Sequence, residues 1–230
     1  MPSILFHDRR DAGRRLAAKL KQYANQPNVL VLALPRGGVP VAYEVAKALH
    51  APLDVFLVRK LGTPGHEELA LGAIASGGVL DLNQEIIQAL NIPNYVIEQI
   101  SNQEYQELTR RERLYRAGLP PLDVRGKTVI LVDDGLATGS SMRAAVSALR
   151  QLHPARIVVA VPVASDETCD AFRDLVDEII CAVTPVPFFA VGSWYEDFSQ
   201  TTDEEVIDLL HRAAQAHSSK EGGANVHAHG

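Results

Sequence analysis

Along this chain, short apolar runs alternate with stretches whose apolar residues recur every three or four positions. The first such stretch follows Asp8 and Asp11, either of which can cap a helix, and Leu16, Ala17 and Leu20 mark its buried face. "NVLVLALP" (Asn28 to Pro35) is nearly continuous in apolar residues, as in a strand covered on both faces of a parallel sheet. "GGVPVAYEVAKALH" predicts a helix and "PLDVFLVRK" a second strand, giving a βαβ unit with glycines at the first strand's carboxyl end. From Leu61 to Leu82 the pattern dissolves into Gly and small residues, which predicts a mobile excursion with a hairpin around Gly77 and Gly78. Glu85 to Gly118 is mostly helical and dense in charge, and stops before Pro120 and Pro121. "KTVILVDD", "ARIVVAVPVA" and "VDEIICAV" read as three more strands, separated by the helices "SSMRAAVSALRQL" and "DETCDAFRDL". An aromatic, turn-rich segment, "TPVPFFAVGSWYEDFSQ", and a helix, "DEEVIDLLHRAAQ", follow.

This alternation predicts an α/β fold with a doubly wound, mostly parallel five-stranded sheet flanked by helices. Ligands of such sheets bind outside the carboxyl ends of the strands. At 230 residues one large domain is the better expectation, and 47% hydrophobic with 22% charged residues is ordinary for a soluble globular protein. The net charge of −6 offers no global basic field, so neither nucleic acid nor a membrane is an expected partner. Cys169 and Cys181 belong to no CxxC and have no neighbouring His, so each reads as a small core or surface residue. The N-terminus lacks the apolar core of a secretory signal and no run is long enough to span a membrane, so a cytoplasmic location is expected. The last stretch, "HSSKEGGANVHAHG", has almost no apolar content and is expected to be disordered, with His217, His227 and His229 solvated.

The densest chemistry lies in "VILVDDGLATGSSM" (Val129 to Met142). Its strand delivers Asp133 and Asp134 to the sheet edge, and the loop Gly135 to Ser141 then opens a helix at its N-terminus. Backbone N–H groups there, with the helix dipole, suit a phosphate-like anion, while Thr138, Ser140 and Ser141 add hydroxyls and Gly139 permits close approach. The loop has no lysine, so a Walker-type reading fails, and no GxGxxG is present. Two carboxylates beside an anion nest are reconciled by a sugar phosphate, whose vicinal hydroxyls donate to the acids. Carboxylates at such a place also gather Mg²⁺, directly or through water. An acidic-pocket phosphoreceiver would share the acids but leaves the Thr-Gly-Ser-Ser nest unexplained.

The stretch resembles the fingerprint of the type I phosphoribosyltransferases: four apolar residues, two acidic residues, then a loop ending in Thr-Gly and two small residues. The resemblance implies that Asp133 and Asp134 contact the ribose hydroxyls of phosphoribosyl diphosphate, and that Ala137, Thr138, Gly139, Ser140 and Ser141 hold its 5-phosphate. In "LALPRGGVP" it places the diphosphate at Arg36, Gly37 and Gly38, with a non-proline cis peptide expected at Arg36–Gly37; alone, the stretch reads equally as an ordinary turn. Arg59 and Lys60 read either as a solvated strand end or as cations against the leaving diphosphate, with Lys60 assisting catalysis. The small-residue stretch after them corresponds to the family's flexible lid; its His66, Glu67 and Glu68 receive no catalytic role.

"PFFAVGSWYEDF" is similar to the hood of purine-type members, where Trp194 or Tyr195 would stack on the base. Phe188 and Phe189 would line the pocket or pack in the core, and Glu196 falls near a metal-linked carboxylate of some members. Ala137 stands where hypoxanthine-guanine members carry an acid, which leaves the base open. The implied organisation is a single domain over 1–215, with core 28–183, lid 61–82 and hood 184–200 joined by the N-terminal segment, then a tail over 216–230. The implied reaction moves 5-phosphoribosyl from Mg²⁺-phosphoribosyl diphosphate to a nitrogenous base and releases diphosphate, with Asp133 and Asp134 also the candidate Mg²⁺ residues. The resemblance allows a homodimer. Its rival is a phosphoribosyl-diphosphate sensor on the same fold, for which Arg110, Arg111, Arg113 and Arg116 would supply a basic face diluted by Glu107 and Glu112.

Overall fold

The computed structural model describes residues 5–224, and the side chains of all of them except 66–68 and 218–224. Helix α1 (Arg9–Lys19) is capped by Asp8, whose carboxylate accepts the Asp11 N–H. Strand β1 (Val29–Ala33) is buried throughout and leads through a tight turn into α2 (Gly38–Leu49). The remaining central strands are β2 (Leu53–Val55), β6 (Thr128–Val132), β7 (Arg156–Val163) and β8 (Glu178–Val183). They form a five-stranded sheet in the order β2-β1-β6-β7-β8, and every pairing is parallel. Helices α5 (Ser140–Arg150), α6 (Asp166–Phe172) and α7 (Asp203–Ala224) complete the covering layers.

Alternation within the strands divides the core between the two faces. Val29, Val31 and Ala33 join Leu16, Val41, Val45 and Leu209 on one side. Leu30, Leu32, Leu131 and Val159 join Ala145, Leu149 and Phe172 on the other. The central strands β1 and β6 are thereby dry on both faces, as their unbroken apolar runs predict.

The segment "PLDVFLVRK" is not one strand. The Phe56 N–H still donates to the Ala33 carbonyl, after which Leu57 and Ser76 exchange hydrogen bonds and the chain enters a second sheet. That sheet is antiparallel and comprises β3 (Val58–Thr63), β4 (His66–Ala75) and β5 (Val79–Leu82). Phe56 and Leu57 are buried at the crossing, so the apolar run continues while the sheet changes. The small-residue stretch is therefore hairpin structure: β4 and β5 join through Gly77 and Gly78, both at positive φ, and a Cβ on Gly72 would strike the Asp81 carbonyl. After β5 come α3 (Gln84–Ala89) and α4 (Asn94–Tyr115).

The backbone of α7 is helical to Ala224, within the stretch over which the sequence predicts a tail; His227 and His229 lie outside the described residues. One further expectation is corrected. Cys169 and Cys181 form a disulfide between α6 and β8, with Cα atoms 6.8 Å apart. A helix and the following strand fold back on each other there, a proximity that sequence spacing does not announce. Among the described residues, no helix is long and apolar enough to cross a membrane.

Candidate functional site

The site lies at the carboxyl ends of β1 and β6, which pair in register from Val29↔Thr128 to Ala33↔Val132. Beyond Val132, the Asp134 N–H donates to Oδ1 of Asp133 (2.8 Å). The two carboxylates are adjacent and largely withdrawn from water, so both titrate above the usual carboxylate range. For Asp133 burial is the main cause and the Asp134 charge adds to it; for Asp134 burial dominates, opposed by Arg9.

The loop that follows is held from below. The Leu136 N–H donates to the Val163 carbonyl (2.9 Å), and the Thr168 hydroxyl donates to the Ala137 carbonyl (2.9 Å). Gly139 adopts φ +70° at the cap of α5, seated on the Phe172 ring, where a Cβ would be 2.6 Å from Cε2. Ala137 and Thr138 are exposed, and the first turn of α5 leaves its amides unpaired within the helix. This 11-residue helix begins with Ser140 and Ser141 in its first turn, at the end of the loop that follows the acidic pair. Lys60 reaches this loop from β3 and donates to the Ser140 hydroxyl.

The neighbouring turn packs against the acids. A Cβ on Gly37 would overlap Oδ2 of Asp134, and one on Gly38 would lie 2.8 Å from the Val132 carbonyl oxygen and 3.2 Å from Oδ1 of Asp133. The non-proline cis peptide is Pro35–Arg36, one residue earlier than the sequence reading places it. Arg36 is partly exposed, with Nη1 3.5 Å from Oδ1 of Asp203, which also accepts the Tyr115 hydroxyl.

Arg59 does not join the site. Successive side chains of β3 point to opposite faces, so while Lys60 meets Ser140, Arg59 pairs with Glu104 of α4 at 2.6 Å. The hood aromatics are also redistributed. Trp194 and Tyr195 are 4% and 5% exposed, packed with Phe6, Ala12 and Val163, which leaves neither ring a free face for stacking. Tyr195 instead donates its hydroxyl to the Asp134 carbonyl (2.6 Å), and burial raises its pKa. Phe188 stacks on Trp194, and Phe189 is exposed. The Glu196 N–H donates to the Phe6 carbonyl, tying the hood to the N-terminal segment.

One residue that sequence reasoning passes over is Arg9. Its Nε donates to Oδ2 of Asp134 (2.8 Å), and it is the strongest favourable influence on that carboxylate. Nothing in "HDRRD" distinguishes Arg9 from Arg10, since the pairing joins residues 125 positions apart. Thr168 likewise carries no signal beyond its place in a capped helix. Three of the helical arginines, by contrast, are engaged: Arg110 and Arg111 with Glu107, and Arg116 with both oxygens of Asp54. Among the described residues there is no group of three or more His, Cys, Asp or Glu side chains that could hold a metal. Two carboxylates, one met by Arg9, fit an ion that arrives already coordinated by a ligand's phosphate oxygens.

The fold and site together define an α/β domain with an acidic pair and a loop leading into a helix N-terminus at the carboxyl ends of its central strands. The chain belongs to the phosphoribosyl transferase domain family, whose model matches residues 6–195. It is 44% identical over 209 residues to a Mycobacterium tuberculosis protein named "Putative phosphoribosyl transferase", covering 91% of this chain and 47% of that protein. The chain thus spans about half the length of the curated relatives it matches. It is also similar to the crystal structure of a Thermus thermophilus protein, TT1426, with 43% identity, a TM-score of 0.81, and coverage of 90% of this chain and 98% of that one.

Proposed function

We propose that this domain transfers the 5-phosphoribosyl group of Mg²⁺-phosphoribosyl diphosphate to a nitrogen acceptor and releases diphosphate. The observation that carries this reading is the acidic pair placed directly before the amide nest, which matches the hydroxyl and phosphate ends of a ribose 5-phosphate. Asp133 and Asp134 accept hydrogen bonds from the 2- and 3-hydroxyls. The amides of Ala137 to Ser141 and the hydroxyls of Thr138, Ser140 and Ser141 take the 5-phosphate. Lys60, already on Ser140, adds a positive charge at that end of the ligand. Asp133 and Asp134 would stand beside an Mg²⁺ brought in with the substrate, which would offset the negative charge of the diphosphate. Gly37 and Gly38 let that group approach the backbone, and Arg36 stands at the same turn.

The C1–O bond to diphosphate breaks with its electron pair, C1 gains oxocarbenium character, and the acceptor nitrogen forms the new bond and gives up its proton. Holding the ribose at both ends contributes mainly by orientation. The two carboxylates lie close to the positive charge that develops on the ring. The β3-β4-β5 sheet is the element that would close over the cleft and exclude water. Exposed Phe189 and Val186 in the hood provide apolar surface for a planar base. The pairing of Arg110, Arg111 and Arg116 with acids leaves little for a nucleic-acid-binding face. The test is diphosphate release across a panel of purines, pyrimidines and other nitrogen acceptors. Release above background with at least one acceptor is expected; tight substrate binding with only background release throughout would replace the enzyme by a sensor.

A further inference from the structure

Three parts of the site converge on one side chain from the N-terminal segment. Arg9 is 11% exposed and spends its donors in two directions: Nε on Oδ2 of Asp134 (2.8 Å) and Nη1 on the Ser199 carbonyl (2.6 Å). Its guanidinium lies 3.9 Å from the centre of the Phe198 ring, which packs on Tyr195 and against Gly192. A Cβ on Gly37 would be 3.3 Å from its Nε, so it also borders the turn between β1 and α2. Tyr195 holds the main chain of the same aspartate through its carbonyl. Asp134 is therefore fixed twice, by backbone from the hood and by side chain from α1.

We propose that Arg9 is the positioning residue of the acidic pair: it holds the Asp134 carboxylate in the orientation that receives a ribose hydroxyl and fastens it to the hood through Ser199 and Phe198. This rests on the reading of the site as one for phosphoribosyl diphosphate. A carboxylate bound through Oδ2 keeps its other oxygen for the ligand, and its rotamer is set before the ligand arrives. Without the guanidinium, Asp134 has to be oriented by the ligand itself, which lowers affinity only for ligands that use it. The N-terminal segment thereby becomes part of the binding machinery.

The experiment compares two probes by calorimetry in the presence of Mg²⁺: phosphoribosyl diphosphate, which carries the ribose hydroxyls, and inorganic diphosphate, which lacks them. Arg9→Ala is expected to weaken the first about tenfold or more and to leave the second within about twofold, the separation expected from loss of one charge-assisted hydrogen bond. Arg9→Lys, which keeps the charge but not the fork, is expected to recover part of the loss. With Asp134→Asn already in place, Arg9→Ala is expected to cost little more, since the two act as one unit. Equal loss for both probes, or additive loss in the double variant, overturns the proposal and leaves Arg9 a packing residue. Absence of phosphoribosyl diphosphate binding by the unaltered protein removes the underlying reading, and the proposal with it.

Discussion

The α-carbon of Gly37 and the carboxylate of Asp134 are packed so closely that a single methyl on the glycine would overlap Oδ2. One residue comes from the turn after β1 and the other from the end of β6, and the parallel pairing of those strands brings the two turns together. Gly37→Ala therefore displaces a carboxylate and not merely a solvent molecule. Overpacking of this kind costs about 1–3 kcal/mol. The expected outcome is a folded protein with a lower melting temperature and at least tenfold weaker binding of phosphoribosyl diphosphate, read by calorimetry beside a thermal melt.

Asp133 trades stability for its place in the site. Burial and the neighbouring Asp134 raise its pKa in the folded chain, so between the ordinary carboxylate range and that raised value the folded state holds a proton the unfolded state has lost. Its contribution to stability is fully present below the unfolded pKa and is lost as pH rises through the folded one. Asp133→Asn removes the titration while its amide oxygen can still accept the Asp134 N–H. The variant is expected to melt about 2–4 °C above the parent at neutral pH, the response to roughly 1 kcal/mol in a domain of this size. That advantage should shrink on acidification toward about pH 4, while ligand binding is lost at every pH.

The floor of the loop should matter as much as its rim. Phe172 is fully buried beneath Gly139, and Thr168 holds the Ala137 carbonyl. Thr168→Val keeps the volume and removes two hydrogen bonds, the one given to the Ala137 carbonyl and the one accepted from the Ser165 hydroxyl, at a cost of about 1–2 kcal/mol. It is expected to weaken inorganic phosphate and phosphoribosyl diphosphate together, since the loop and not the ribose acids is disturbed. Parallel titrations of the two ligands check this.

The disulfide between Cys169 and Cys181 ties α6, which underlies that loop, to the edge strand β8. Closing a loop of this length contributes about 2–3 kcal/mol in the chain-entropy account. Reduction, or Cys181→Ser, is expected to lower the melting temperature by several degrees, and a thiol assay on the denatured, unreduced protein should find no free thiol.

Much of the central sheet and the loop of Asp133 to Ser141 is legible because local chemistry carries both. Continuous apolar runs mark β1, β6 and β7, and the Asp-Asp to Thr-Gly-Ser-Ser stretch announces its own turn. What escapes depends on contacts between distant residues. The apolar run through Phe56 and Leu57 is unbroken although the chain changes sheets there, so sequence reasoning assigns Arg59 and Lys60 to one edge when strand alternation sends them apart. Trp194 and Tyr195 look available for stacking because aromatic composition does not reveal which rings a hood buries on Phe6. The Arg9–Asp134 pair has no local signature at all, since it joins the first helix to the end of β6.

In the proposed complex the pair Asp133–Asp134 and the loop 137–141 grip the two ends of one ribose 5-phosphate. Calorimetric titration of the unaltered protein with phosphoribosyl diphosphate and Mg²⁺, repeated with Asp134→Ala and with Gly139→Ala, decides whether they do. Saturable binding by the parent, weakened by at least tenfold in each variant while both remain folded, is the predicted result. No binding by the parent, or binding indifferent to both substitutions, would contradict it.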